Sequence, residues 1–210
     1  MDATKRQQQM RRGVTALRLQ FAQGGSGVFS AVLEGADAAQ IIETEAGHYR
    51  DRCYPPLTTL RLFIGQVLSE DGACQDVVGR HLSACVATGR RPCGLNTGPY
   101  CQARQRLPLA MPQRLSRMVG ERLESRMPKA WCWRGRHVKL FDGTTVSMPD
   151  TPENQRAFPQ SSEQKPGLGF PVARIGGLIS LASGAVLAHA VAACKGKGTG
   201  EQTLLRGLLP

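Results

Sequence analysis

The stretch HVKLFDGTTVSMPD, residues 137–150, is where the chain changes its period. From His137 to Asp142 apolar and polar residues alternate, which is the pattern of a strand, with Val138, Leu140 and Asp142 on one face. Downstream, Phe170 to Leu181 and Ala185 to Ala193 read as two further strands, a hairpin turning at Ser183-Gly184. The polar, proline-rich stretch from Thr151 to Pro171 between them reads as a loop. Thr199 to Gln202 fits the reciprocal cap pattern S/T-x-x-E/Q, so a helix is expected to start there.

Upstream of residue 137 the spacing is helical. Pro55 and Pro56 open a segment with Leu60, Phe63, Ile64, Val67 and Leu68 at helical intervals, as proline suits a first turn. A second helix is expected from Cys74 to Ala87, with Val77, Val78, Leu82, Cys85 and Val86 on one face and Gly89 ending it. Thr97 is a candidate cap for a short third helix, PYCQARQRL, which Pro108 breaks. A fourth runs from Pro112 to about Met127 with the stripe Leu115, Met118, Val119 and Leu123. Residues 1–53 are poorly defined: GGSG at 24–27 reads as a linker, and Val28 to Glu45 as a short helix carrying Val32, Ala36, Ala39 and Ile42. Helices followed by strands make an α+β chain: an all-α region over 54–136, then an α/β core opening over 137–210.

The charge follows the same division. Of the net +11, residues 80–136 hold +10, with 12 Lys or Arg against 2 Asp or Glu. Such a block suits a polyanionic partner, most often nucleic acid; a solvated face kept for solubility is the competing reading. Aromatic residues make up only 5%, which argues against an extended stacking platform for bases. The seven cysteines are odd in number and contain no C-x-x-C pair, so reduced thiols of a cytosolic chain are expected rather than a disulfide framework. His81, Cys85, Cys93 and Cys101 match no common zinc spacing. The N-terminus lacks the apolar run of a signal peptide. The 20 uncharged residues from Ile175 to Cys194 are Gly-, Ala- and Ser-rich and broken at Ser183-Gly184, so two strands explain them better than a membrane helix.

Three places could carry chemistry. Asp142 offers a carboxylate to a hard divalent cation, although Asp-Gly after a strand is also an ordinary turn. Asp150 lies close in sequence but in loop-like surroundings. In KGKGTGE, residues 195–201, glycines, Lys195 and Lys197 precede a helix N-terminus, an arrangement that suits phosphate but that a flexible loop also explains. The short third helix carries Gln102, Arg104, Gln105 and Arg106, side-chain types that read bases and clamp phosphates, as well as common surface residues.

Taken together, the segments at 54–82, 98–108, 142–155, 164–174 and 183–209 resemble the IS-four family of bacterial insertion-sequence transposases. The most specific of these are DGTTVSMPDTPENQ and KGKGTGE. The resemblance implies a ribonuclease-H-like core in which three acidic residues bind Mg²⁺ for phosphodiester cleavage and strand transfer. Asp142 would match the first acid and first metal ligand. Gln102, Arg104, Arg106, Lys195 and Lys197 would lie on double-stranded transposon-end DNA. The resemblance further implies a cytoplasmic, nucleoid-associated protein that contacts no membrane and can associate with full-length copies. The second and third acids of the family fall beyond Pro210. The chain is therefore expected to be an N-terminal part, with an incomplete ribonuclease-H-like core and no cleavage activity of its own; a DNA-binding fragment or inhibitor of full-length transposase is the alternative.

Overall fold

The computed structural model describes residues 35–50, 52–161, 163–165 and 167–209, together with Arg12 and Leu33. The expected linker at 24–27, and Val32 of the first expected helix, lie outside them. The elements are α1 (Ala36–Ala46), α2 (Pro56–Leu68), α3 (Cys74–Ala87), α4 (Gly98–Gln105), α5 (Ala110–Ser125), a 3₁₀ turn (Lys129–Trp131), β1 (Lys139–Ser147), α6 (Pro152–Ala157), β2 (Val172–Ser180), β3 (Val186–Ala193) and α7 (Glu201–Leu208). The chain is α+β, and it divides into two compact units, Met1–Leu115 and Ser116–Pro210. The sequence places its boundary at residue 136; the units part inside α5. Gly120 accounts for this: a Cβ there would stand 2.5 Å from the Val186 carbonyl oxygen, so α5 meets the backbone at the start of β3 at this residue.

In the first unit α2 starts at Pro56, and the Thr59 hydroxyl donates to the carbonyls of Tyr54 (3.0 Å) and Pro55 (2.9 Å). Val77, Val78 and Tyr100 form the core, with Tyr54, Leu62, Cys74 and Leu82 packed on it. The apolar stripes are narrower than their periodicity suggests. Val67, Val86 and Ala39 are exposed, whereas Thr59 and Gln66 are buried. Polar side chains take core positions in α2 because each finds hydrogen-bond partners there. Thr97 sits at the start of α4 but its side chain makes no capping bond. A disulfide joins Cys53 to Cys93, correcting the expectation of reduced thiols throughout: folding brings their Cα atoms to 5.8 Å, within bridging range.

In the second unit the strands form one antiparallel sheet in the order β1-β2-β3. β1 does not end at Asp142 but runs on to Ser147. Two features keep Asp142-Gly143 extended rather than turned. Gly176 on β2 leaves room for the Phe141 ring of β1, and Thr144, Thr145 and Val146 beyond Asp142-Gly143 favour a strand. The β2–β3 turn falls at 181–185 with Gly184 at φ 69°, as the sequence indicates. The stretch from Thr151 to Pro171 is not all loop: it contains α6, whose Asn154 N–H donates to the Thr151 hydroxyl at 3.2 Å. At α7 the expected reciprocal cap does not form. The Thr199 hydroxyl donates to Gly196 O (2.9 Å) instead, and Gly200 takes the cap position. Leu123 is exposed, and Gly120 takes the buried place on α5.

Alternation gives the sheet two faces. Phe141 and Gly143 lie beneath α7, with Gly176 opposite them close to both the Phe141 ring and Leu204. Leu140, Asp142, Thr144 and Val146 lie on the other face, where all four are exposed. Among the described residues no helix is long and apolar enough to cross a membrane, and Ile175 to Cys194 is occupied by β2, its turn and β3.

Candidate functional site

Asp142 stands in the middle of β1, exposed, with its Oδ1 accepting from the Gly143 N–H at 2.9 Å. Register sets it opposite Gly177, which in turn sits opposite His189 on β3. The neighbouring carboxylates are turned elsewhere. Glu201 lies over Gly143 on the α7 side of the sheet, the face opposite Asp142. Asp150 accepts from Gln155 Nε2 (2.8 Å) beside α6. Among the described residues no group of three or more His, Cys, Asp or Glu could hold a metal ion. A pair of Mg²⁺ ions needs several converging carboxylates, and the carboxylates present do not fit that centre.

The basic residues expected to meet DNA separate into two kinds. Gln102 and Arg106 are exposed on α4 and at its C-terminal cap, where their side chains are open to a partner. Arg104, two residues from each and so on the opposite side of the helix, faces inward. Its Nη1 donates to Gln66 Oε1 at 3.0 Å, and its guanidinium lies 4.5 Å from the centre of the Phe63 ring and 5.7 Å from that of Tyr100. Gln66 is the hub of this cluster. Its Oε1 also accepts from the Tyr100 hydroxyl (2.8 Å), and its Nε2 donates to Gly72 O (2.6 Å) and Cys74 Sγ (3.3 Å). Burial drives the Tyr100 hydroxyl up to about 12 against the pull of nearby Arg104, so it stays a donor at neutral pH. Nothing in the helical spacing marks Arg104 as internal; a buried glutamine on the neighbouring helix is what selects it.

Lys195 and Lys197 are both exposed on the loop between β3 and α7. Gly196 and Gly198 give that loop φ values of 128° and 83°, which only glycine adopts freely, and Arg174 Nη1 anchors its end through Thr199 O at 3.1 Å. Of the other basic residues in the stretch, Arg80 pairs with Asp76 and Arg114 with Glu45. Arg117 and Arg126 are exposed on and just after the C-terminal half of α5.

The segment from α5 to β1 folds into a tight turn that the sequence shows only as a change of period. His137 Nδ1 lies 2.8 Å from Glu124 Oε1, and Glu124 Oε2 accepts from the Ser183 hydroxyl at 3.2 Å. These contacts tie the turn to the β2–β3 hairpin. Hydrogen bonds from Ser180, His137 and Ser183 hold the Glu124 carboxyl below its ordinary range despite its partial burial. Compared with protein-family models, curated proteins and solved structures, the chain matches none.

Proposed function

We propose that the protein is of the IS-four transposase type and binds double-stranded DNA, and that the residues described here do not cleave DNA by themselves. The observation that carries this reading is the concentration of charge: 12 basic residues against 2 acidic ones over 80–136, with Arg106, Arg117 and Arg126 exposed. Cationic side chains that neutralise phosphates release counterions, which gives sequence-independent affinity. The exposed Lys195 and Lys197 add charge beside the antiparallel β1–β2–β3 sheet that runs into α7, which this reading takes as the opening of a ribonuclease-H-like core. On this reading Asp142 is the first acid, and its isolation from other carboxylates among the described residues favours binding over hydrolysis, in keeping with an inhibitor of full-length copies.

The test is anisotropy of a labelled duplex carrying transposon-end sequence, run beside a nicking assay with Mg²⁺. Binding without nicking is expected, with affinity falling several-fold in a Lys195→Ala, Lys197→Ala variant and in an Arg106→Ala, Arg117→Ala variant. Nicking that disappears in Asp142→Ala would overturn the inactive reading; absence of duplex binding at low salt would overturn the whole proposal.

A further inference from the structure

We infer that the turn from Trp131 to Arg136 is a stacking site for unpaired nucleic-acid bases. Trp131 and Trp133 are 63% and 58% exposed, and they are the only two tryptophans of the chain. Tryptophan is highly buried on average, so two open rings two residues apart call for a partner. Their surroundings define its charge. Arg126, Lys129, Arg134 and Arg136 are all exposed, and no acidic residue occurs between 126 and 136.

The site is built rather than frayed. Lys129–Trp131 is a 3₁₀ turn, closed by the Trp131 N–H donating to Pro128 O at 2.9 Å. Trp133 and Arg136 then pair as a bridge (Arg136 N to Trp133 O, 2.9 Å) across Arg134 and Gly135, at φ 48° and 75°. Two positive φ values in succession make the tight turn of a hairpin, a place where asparagine and glycine are the usual residues. Arg134 occupies the first position, and its guanidinium lies 5.1 Å from the centre of the Trp133 ring. The base of the turn is fixed through His137 and Glu124.

Flat π-faces beside cations suit a base with an adjoining phosphate, since every base can stack on an aromatic ring and arginine adds cation–π attraction. A base inside a duplex has both faces covered by its neighbours, so the ligand is single-stranded or locally unpaired nucleic acid. The low aromatic content of the chain is compatible with this, because the site needs two rings and not an extended platform. The inference goes beyond duplex binding but rests on that reading in taking nucleic acid as the polyanion.

Because the chain holds only these two tryptophans, its tryptophan emission reports this turn alone. Titration of the full chain with a dodecamer of thymidine is expected to quench the emission to saturation and to shield both rings from acrylamide. A Trp131→Ala, Trp133→Ala variant should lose single-strand affinity about five-fold or more, while its duplex binding by anisotropy stays within about two-fold. The acrylamide measurement uses the unaltered chain, so it holds even if the variant misfolds. Duplex binding with no quenching and no shielding by the single strand would overturn this inference and leave the proposed function standing; no binding of either would overturn both. A tryptophan blue shift on vesicles containing phosphatidylserine, without a response to the oligonucleotide, would overturn it in favour of a lipid surface.

Discussion

Replacing Arg104 with alanine separates a structural arginine from a DNA-binding one. The guanidinium donates a charged hydrogen bond to Gln66 Oε1 at 3.0 Å and lies 4.5 Å from the Phe63 ring centre. A hydrogen bond involving a charged group contributes about 1.5–3 kcal/mol, and a partly exposed cation–π contact about 0.5–1 kcal/mol. Gln66 Oε1 keeps its bond from Tyr100, so no buried acceptor is orphaned and the lower ends of both ranges apply. The expected loss is about 2 kcal/mol. With a urea slope of about 2 kcal/mol per molar, the midpoint should fall by about 1 M, followed by helical ellipticity. The salt dependence of duplex binding should not change. Arg106→Ala is the comparison. That side chain is exposed, so stability should move by less than about 0.5 kcal/mol, while a lost phosphate contact should reduce the slope of log K against log[salt] by about 0.9. An unchanged urea midpoint for Arg104→Ala together with a reduced salt slope would refute the reasoning and return Arg104 to the DNA-facing set.

Three further outcomes follow from the packing. Gly120→Ala should destabilise the second unit by about 1–2 kcal/mol, read by tryptophan fluorescence in urea. A helical Gly→Ala change ordinarily gains about 1 kcal/mol, but here the new Cβ would meet Val186 O at 2.5 Å, and a stabilised variant would show that α5 does not rest on β3. Glu124 is held below its ordinary value, so its unfolded form takes up protons first as pH falls. Its contribution is present above its ordinary value of 4.5 and is lost as pH drops through the lower folded value; Glu124→Gln should flatten that acid limb. His81 is also lowered, chiefly by burial, so the first unit should lose stability as pH falls below 6.5, and an unaltered profile in His81→Gln would contradict this.

The sequence made some of this legible and concealed the rest for identifiable reasons. The bounds of α3, Cys74 to Ala87, follow from apolar spacing with glycine just beyond the end, and the β2–β3 hairpin from alternation around Ser183-Gly184. The full length of β1 was hidden because Asp-Gly is a turn signal locally, and only its pairing along the whole of β2, with Gly176 leaving room for the Phe141 ring, makes it a strand. Gln66 and Thr59 were invisible as core because burial there depends on hydrogen bonds from residues distant in sequence or at a helix start. For the same reason Arg104 could not be told from Gln102 and Arg106, which have the same helix and similar chemistry. The Cys53–Cys93 bridge depends on a spatial approach over a separation of 40 residues that no spacing rule encodes. The tryptophan turn shows in the sequence only as the change of period near residue 137, because the exposure of Trp131 and Trp133 is a property of the fold alone.

The central claim is that the cationic stretch grips DNA phosphates, and the most direct test is the affinity for duplex DNA across a series of salt concentrations. Of its 12 basic residues, Arg80, Arg90, Arg104 and Arg114 are among those held by partners within the chain. If the stretch neutralises about six phosphates, log K should fall linearly with log[salt] at a slope of about −5. A flat dependence, or no binding at the lowest salt, would contradict the account.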